Sequence, residues 1–219
     1  KINKNNFIAF PLWVGPLLAY VYIHIDLLHH GIALSNLFEI ADYQKVKALK
    51  PNLIYIYGVE DSLYDSKFYH DTINDIYLGF VCKSAENDYF GYLKKMLLTL
   101  HNLYMINHDN LPVHGAMVEI TLKSNIKKRV VIVGDSGAGK SETLEALRQI
   151  ASDEIKDIKV VFDDMGTLST NEDGKVLASG TETGAFVRLD DLEQGYAYEV
   201  MDRALFLNPS QVNARVVIP

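Results

Sequence analysis

The strongest constraint on this chain is the octapeptide Gly134-Asp135-Ser136-Gly137-Ala138-Gly139-Lys140-Ser141. The apolar run Val130–Val133 precedes it, and Leu144, Leu147 and Ile150 follow on one helical face. Strand, Gly-rich loop and helix form the setting that a G-x-x-x-x-G-K-[ST] phosphate loop requires. Gly134, Gly137 and Gly139 remove side chains, so that backbone amides can converge on a polyphosphate. The start of the following helix adds partial positive charge. Lys140 supplies a point charge to the β- and γ-phosphates, and Ser141 offers a hydroxyl to a divalent ion. This reading expects ATP with Mg²⁺; the alternative is a structural Gly-rich turn.

Two neighbouring segments add chemistry. Val113-His114-Gly115 opens an alternating stretch in which Ala116, Val118, Ile120 and Leu122 face one way and Met117, Glu119 and Thr121 the other. Lys123-Ser124-Asn125 then turns into the loop strand, so His114 sits at the start of a hairpin that delivers the phosphate loop. Downstream, Lys159–Phe162 reads as a short strand ending in Asp163-Asp164. Carboxylates at a strand end beside such a loop suit a metal-holding or catalytic acid, one binding metal while the other accepts a proton. A turn or a helix cap is the plainer explanation.

The first third is less informative. Phe7–Ile23 carries no formal charge, but Pro11, Gly15 and Pro16 interrupt it and His24 and Asp26 follow, so buried strands and turns are expected there and no membrane span. His29 and His30 are adjacent. Neighbouring side chains point different ways, which favours an exposed or capping pair over a metal pair. Leu53–Tyr57 and Ile76–Val81 read as strands, with acidic, Tyr-rich surface connections between. From Asn87 to Asn107, Phe90, Leu93, Leu97, Leu100 and Tyr104 recur at helical spacing, with Asn87 or Asp88 as the cap. Lys94 and Lys95 on that helix read, by periodicity, as a solvated face.

Composition narrows the partners. With 21 Lys+Arg against 28 Asp+Glu the formal charge is −7, which argues against nucleic acid or a basic membrane-surface role. The single cysteine, Cys82, cannot form an intramolecular disulfide, and a reducing, cytoplasmic setting is expected. The chain begins at Lys1 and stops at Pro219 after an apolar run, and reads as part of a longer protein.

Together, VHGAMVEI, GDSGAGKSETLEAL and VVFDDMG resemble the catalytic core shared by HPr kinase/phosphorylase and phosphoenolpyruvate carboxykinase. GDSGAGKSE is closest to the HPr kinase side. Tyr89-Phe90-Gly91-Tyr92-Leu93-Lys94-Lys95 resembles the Y-x-G-x-x-K-K segment of ATP-dependent carboxykinases, GTETGAFVRL their E-G-G segment, and Asn213-Ala214-Arg215-Val216 with Pro219 their N-T-R-V-x-x-P strand. The resemblance spans about residues 89–219. It implies that Lys95, His114 and Asp164 bind a transition metal such as Mn²⁺, a role for which Lys95 must lose its proton. It further implies Glu182 at the cofactor site and Arg215 at the transferring phosphate and substrate. In two respects the chain departs from the carboxykinase pattern: no Arg precedes Arg129, and the loop ends in Lys-Ser rather than Lys-Thr.

The fold implied by the resemblance is α/β, a P-loop carboxykinase-like core of mixed β-sheet with flanking helices. Residues 1–86 would form a divergent N-terminal α/β region. Residues 87–219 would form the nucleotide- and metal-binding core, continuing past Pro219 into adenine-binding and lid segments. The implied reaction converts oxaloacetate and ATP to phosphoenolpyruvate, ADP and CO₂. Lys140, Asp163, His114 and Arg215 would be catalytic, and Gly134–Ser141 and Glu182 would bind the nucleotide. Lys95, His114, Asp164 and Ser141 would hold metal. The alternatives are a kinase acting on a protein or small-molecule hydroxyl, and a non-catalytic nucleotide-binding module.

Overall fold

The structure is a computed structural model describing residues 3–60, 63, 65–134, 139, 143, 146, 153–188, 203–207 and 214–218. Most of the expected phosphate loop (135–138, 140 and 141), that is Asp135, Ser136, Gly137, Ala138, Lys140 and Ser141, lies outside the described residues. The fold is mixed α/β, with several sheets, few helices and mostly strands. Two compact units divide the chain: Lys1–Tyr104 with Glu182–Pro219, and Met105–Thr181. This division differs from the expected one at 86/87, because the C-terminal strands belong with the first unit.

The first unit contains β1 (Phe7–Val14), β2 (Leu17–His24), α1 (Leu28–Leu37), β3 (Glu39–Ile40), α2 (Tyr43–Val46), β4 (Leu53–Val59), β5 (Ser66–Asp71), β6 (Ile76–Cys82) and most of α3 (Phe90–Asn107). The uncharged N-terminal run is a hairpin, β1 pairing with β2 through a turn in which Gly15 takes a φ of 55°. No helix among the described residues is long and apolar enough to cross a membrane. The sheet order is β3-β1-β2-β4-β6-β5, with β2, β4 and β6 parallel. Val21, Ile23, Leu53, Tyr55, Tyr57, Tyr77 and Val81 alternate along these strands, share one face by register and are all buried. The connection between β4 and β6, expected to be a surface segment, contains the edge strand β5, antiparallel to β6.

Helix α3 buries Phe90, Leu93, Leu97 and Leu100, as the 3.6-residue spacing predicts. It crosses β6 at Gly79, where an added Cβ would meet Leu100 Cδ1 and Met96 Sδ at 3.0 Å. His101 on this helix is fully buried, and burial holds its pKa below the ordinary value of 6.5, an effect only partly offset by its contact with Asn102. The sign follows from linkage: the unfolded chain binds a proton at His101 more readily than the folded one. Stability is therefore complete above pH 6.5 and is lost as pH falls from there through the lower folded value. Thermal melts from pH 7.5 to 5 should show this decline, and His101→Leu should flatten it; a melting temperature equally pH-dependent in that variant would refute the assignment.

The second unit holds β7 (Leu111–Leu122), β8 (Lys127–Val133), β9 (Ile155–Thr170) and β10 (Val176–Gly180), an antiparallel sheet in the order β10-β9-β7-β8. The β7–β8 hairpin matches the sequence reading, and Asn125 takes the left-handed conformation (φ 61°) in its turn. Ala116, Val118 and Ile120 form a buried cluster with Leu122, Val130, Ile132, Ile155 and Ile158. The opposite face is also partly apolar, with Val113 and Met117 packing on Phe162. Farther along it, Glu119 pairs with Lys127 at 2.7 Å and Arg129 at 2.9 Å, pinning the register.

Two expectations are corrected here. β8, expected as a buried strand, is half-buried and is the edge of this sheet among the described residues: Val130 and Ile132 pack on the Ala116 cluster, while Val131, 39% exposed, and Val133, 69% exposed, lie on the other face. Asp163-Asp164 does not end a strand. β9 runs through both, since β7 pairs with it on one side, with register shifts between Met117 and Val118 and between Thr121 and Leu122, and β10 pairs with its second half on the other.

After Thr181 the chain returns to the first unit. Strand β11 (Ala185–Arg188) pairs with β13 (Arg215–Ile218), which also pairs with β12 (Leu205–Leu207).

Candidate functional site

The second unit gathers one group of site residues by strand register. Gly115 lies opposite Val133 on β8 and opposite Asp164 on β9, so His114, Gly134 and the acid pair share one region of the sheet. Gly115 is required there, because an added Cβ would lie 2.5 Å from the Ile132 carbonyl oxygen. Leu111, Pro112, Val113, His114, Val133 and Gly134 line a cleft of about 410 Å³.

Asp164 carries a φ of 102°, a conformation that residues with a Cβ rarely adopt. Its Cα is in register with Gly115, yet its carboxylate reaches the next residue, with Oδ1 3.2 Å from His114 Nε2. Strain of this kind concentrates at functional sites. Both side chains are about half exposed, so the pair is open to a ligand. Asp163 is exposed, opposite Ala116. Gly139 has a φ of 80°, and its carbonyl accepts from the Thr143 amide at 2.9 Å and the Thr143 hydroxyl at 2.6 Å, a helical turn leading out of the loop.

The first unit gathers a different group. Lys95, the expected metal ligand, is exposed on α3. Lys94, expected on a solvated face, is only 11% exposed, and its Nζ is 3.1 Å from Oε1 of Glu182, itself 5% exposed. The helix explains the difference: Lys94 lies four residues after Phe90 and flanks the buried face, whereas Lys95 is turned a further 100° away. Lys94 Nζ lies 5.9 Å, and Arg215 Cζ 5.6 Å, from the centre of the Phe186 ring. Arg215 Nε is buried without a hydrogen-bond partner among the described residues. The sequence reading had Glu182 and Arg215 but missed Lys94 and Phe186. The Lys-Lys pair was visible; which of the two is sheltered depends on helix phase against a partner that periodicity does not name.

The structure thus brings His114 and Asp164 together in one unit, and Glu182 and Arg215 into one cluster in the other. Lys95 belongs to the first unit, and His114 and Asp164 to the second.

No protein-family model and no curated protein matches this chain.

Proposed function

We propose that the protein transfers the γ-phosphoryl group of ATP to an oxygen nucleophile. The observation that carries this reading is the His114–Asp164 pair, 3.2 Å apart on the neighbouring strands β7 and β9, in the region of the sheet where β8 runs out into Gly134. The sequence motif supplies the rest: amides of Gly134–Ser141 cradle the phosphates, Lys140 balances their charge, and Ser141 serves the nucleotide's Mg²⁺.

His114 and Asp164 suit a base and its orienting partner. Asp164 accepts from Nε2–H of His114, which leaves Nδ1 to take the proton of an acceptor hydroxyl. The acceptor oxygen then bonds to the γ-phosphorus, the bond from that phosphorus to the β–γ bridging oxygen breaks, and ADP leaves. One imidazole nitrogen and one carboxylate oxygen at this separation also fit the donor preferences of Mn²⁺. A bound ion would supply charge stabilisation at the transferring phosphoryl group.

Two acceptors are in play. A hydroxyl acceptor, as in the HPr kinase-like reading, is favoured by the His–Asp pair and by the absence of any Arg before Arg129. The carboxykinase-type reaction is supported by the likeness around Lys95 and by Arg215, whose buried Nε has no hydrogen-bond partner among the described residues. In that version oxaloacetate loses CO₂, and the resulting enolate oxygen attacks the γ-phosphorus.

One assay separates them: the chain with ATP, Mg²⁺ and Mn²⁺, with and without oxaloacetate. Phosphoenolpyruvate and ADP formed only with oxaloacetate support the carboxykinase; label transfer from [γ-³²P]ATP without it supports the kinase. ATP binding without turnover in either arm refutes both. His114→Ala should lower turnover roughly 10²–10⁴-fold and remove the acid limb of the pH–rate profile. Turnover equal to that of the unaltered protein would show that His114 is not the base.

A further inference from the structure

A second constellation lies wholly in the first unit. In open α/β sheets, ligands bind outside the carboxyl ends of the parallel strands. Here those ends are His24 on β2, Val59 on β4 and Cys82 on β6. The residues that follow them are rich in ligating side chains. His29 and His30 open α1 just after β2, and Asp88 lies between β6 and α3.

The two histidines do not diverge as adjacent residues ordinarily would. Their rings sit 4.0 Å apart at 44°, and both Nε2 atoms face one carboxylate oxygen. His29 Nε2 is 3.4 Å and His30 Nε2 2.7 Å from Asp88 Oδ1. This corrects the reading of the pair as exposed or capping: His30 is 1% exposed, because α1 presses it against Tyr57 and Phe90, while His29 stays 52% exposed.

Asp88 is held in place by its neighbours. The Tyr57 hydroxyl donates to the Asn87 carbonyl, and the Asn87 amide donates to the Cys82 carbonyl at 3.2 Å. That bracing fixes the backbone beside the carboxylate, as a preorganised ligand requires.

We propose that His29, His30 and Asp88 form a divalent transition-metal site whose preferred ion is Zn²⁺. One ligand atom from each lies within 4.8 Å of the other two. Tetrahedral Zn²⁺ with ligand bonds near 2.0–2.1 Å separates its ligand atoms by about 3.3 Å. The His29–Asp88 distance already matches; the shorter His30–Asp88 contact opens by rotation of Asp88, which is 46% exposed. Two imidazoles and one carboxylate suit Zn²⁺ over Mg²⁺ or Ca²⁺. The fourth position faces the exposed side of His29 and is left to water or to a substrate atom.

The test is Zn²⁺ titration calorimetry on the full chain, with Co²⁺ absorption as the geometric probe. His29→Ala removes a half-exposed ring and Asp88→Asn keeps its shape, so both variants should fold, as a thermal melt checks. Each should weaken binding of one Zn²⁺ equivalent roughly tenfold or more and lose the tetrahedral Co²⁺ bands. His114→Ala should keep that equivalent, which separates this site from the phosphoryl-transfer reading. Unchanged affinity in either His29→Ala or Asp88→Asn, or no Zn²⁺ binding by the unaltered chain, overturns the proposal.

Discussion

Replacing Lys140 by Ala is expected to lower ATP turnover by about a thousandfold, the scale on which removing one preorganised charge from a phosphoryl-transfer site acts. The melting temperature should stay the same. Lys140 is the lysine of the G-x-x-x-x-G-K-[ST] motif. In the proposed reading this lysine serves an anion rather than the core, so its loss is expected to leave no cavity. Steady-state ADP release, followed beside a thermal melt, tests both halves of the expectation. Turnover equal to that of the unaltered protein would falsify the phosphate-loop assignment; a collapsed melt would show that Lys140 is structural instead.

The largest stability effect is expected from Gly184→Ala. An added Cβ would lie 2.2 Å from the Asn36 carbonyl oxygen and 2.2 Å from that of Ile218. Neither is the end of a flexible side chain: Asn36 is in α1 and Ile218 in β13. The amides of Thr183 and Gly184 both donate to the Leu37 carbonyl, at 2.9 and 3.1 Å, so the segment cannot move away without losing those bonds. Overpacking against backbone on two sides should cost about 3 kcal/mol. Denaturant unfolding would register this as a lower midpoint with an unchanged slope. Glu182 is two residues away, so the same change should also disturb its 3.1 Å contact with Lys94. A midpoint equal to that of the unaltered chain would mean the backbone relaxes at no cost.

Local pattern determined much of this protein. The spacing of Phe90, Leu93, Leu97 and Leu100 specified α3 and its buried face, because a helical stripe is a property of sequence alone. The breakers Gly15 and Pro16 cut the uncharged N-terminal run into a hairpin. Alternation from Ala116 to Leu122 specified β7, and the polar turn after it specified the hairpin into the phosphate loop. The octapeptide and its flanks carried the functional reading, since the chemistry of a phosphate loop resides in contiguous residues.

What depended on distant partners was decided only by tertiary structure. Asp163-Asp164 lies inside β9 because β7 pairs with residues on both sides of it, and no local residue announces that pairing. On β8 the packing of Val130 and Ile132 on the Ala116 cluster leaves Val131 and Val133 on an exposed face, which a continuous apolar run does not encode. Lys94 is sheltered and Lys95 exposed because Glu182 and Phe186 return from nearly ninety residues away. His29 and His30 converge because Asp88, 58 positions beyond His30, supplies the carboxylate between them. The sequence thus determined which chemical groups this chain carries and on which local elements. Only the packing of those elements decided which groups meet, because a contact between remote residues is stabilised by burial and charge that neither segment possesses alone.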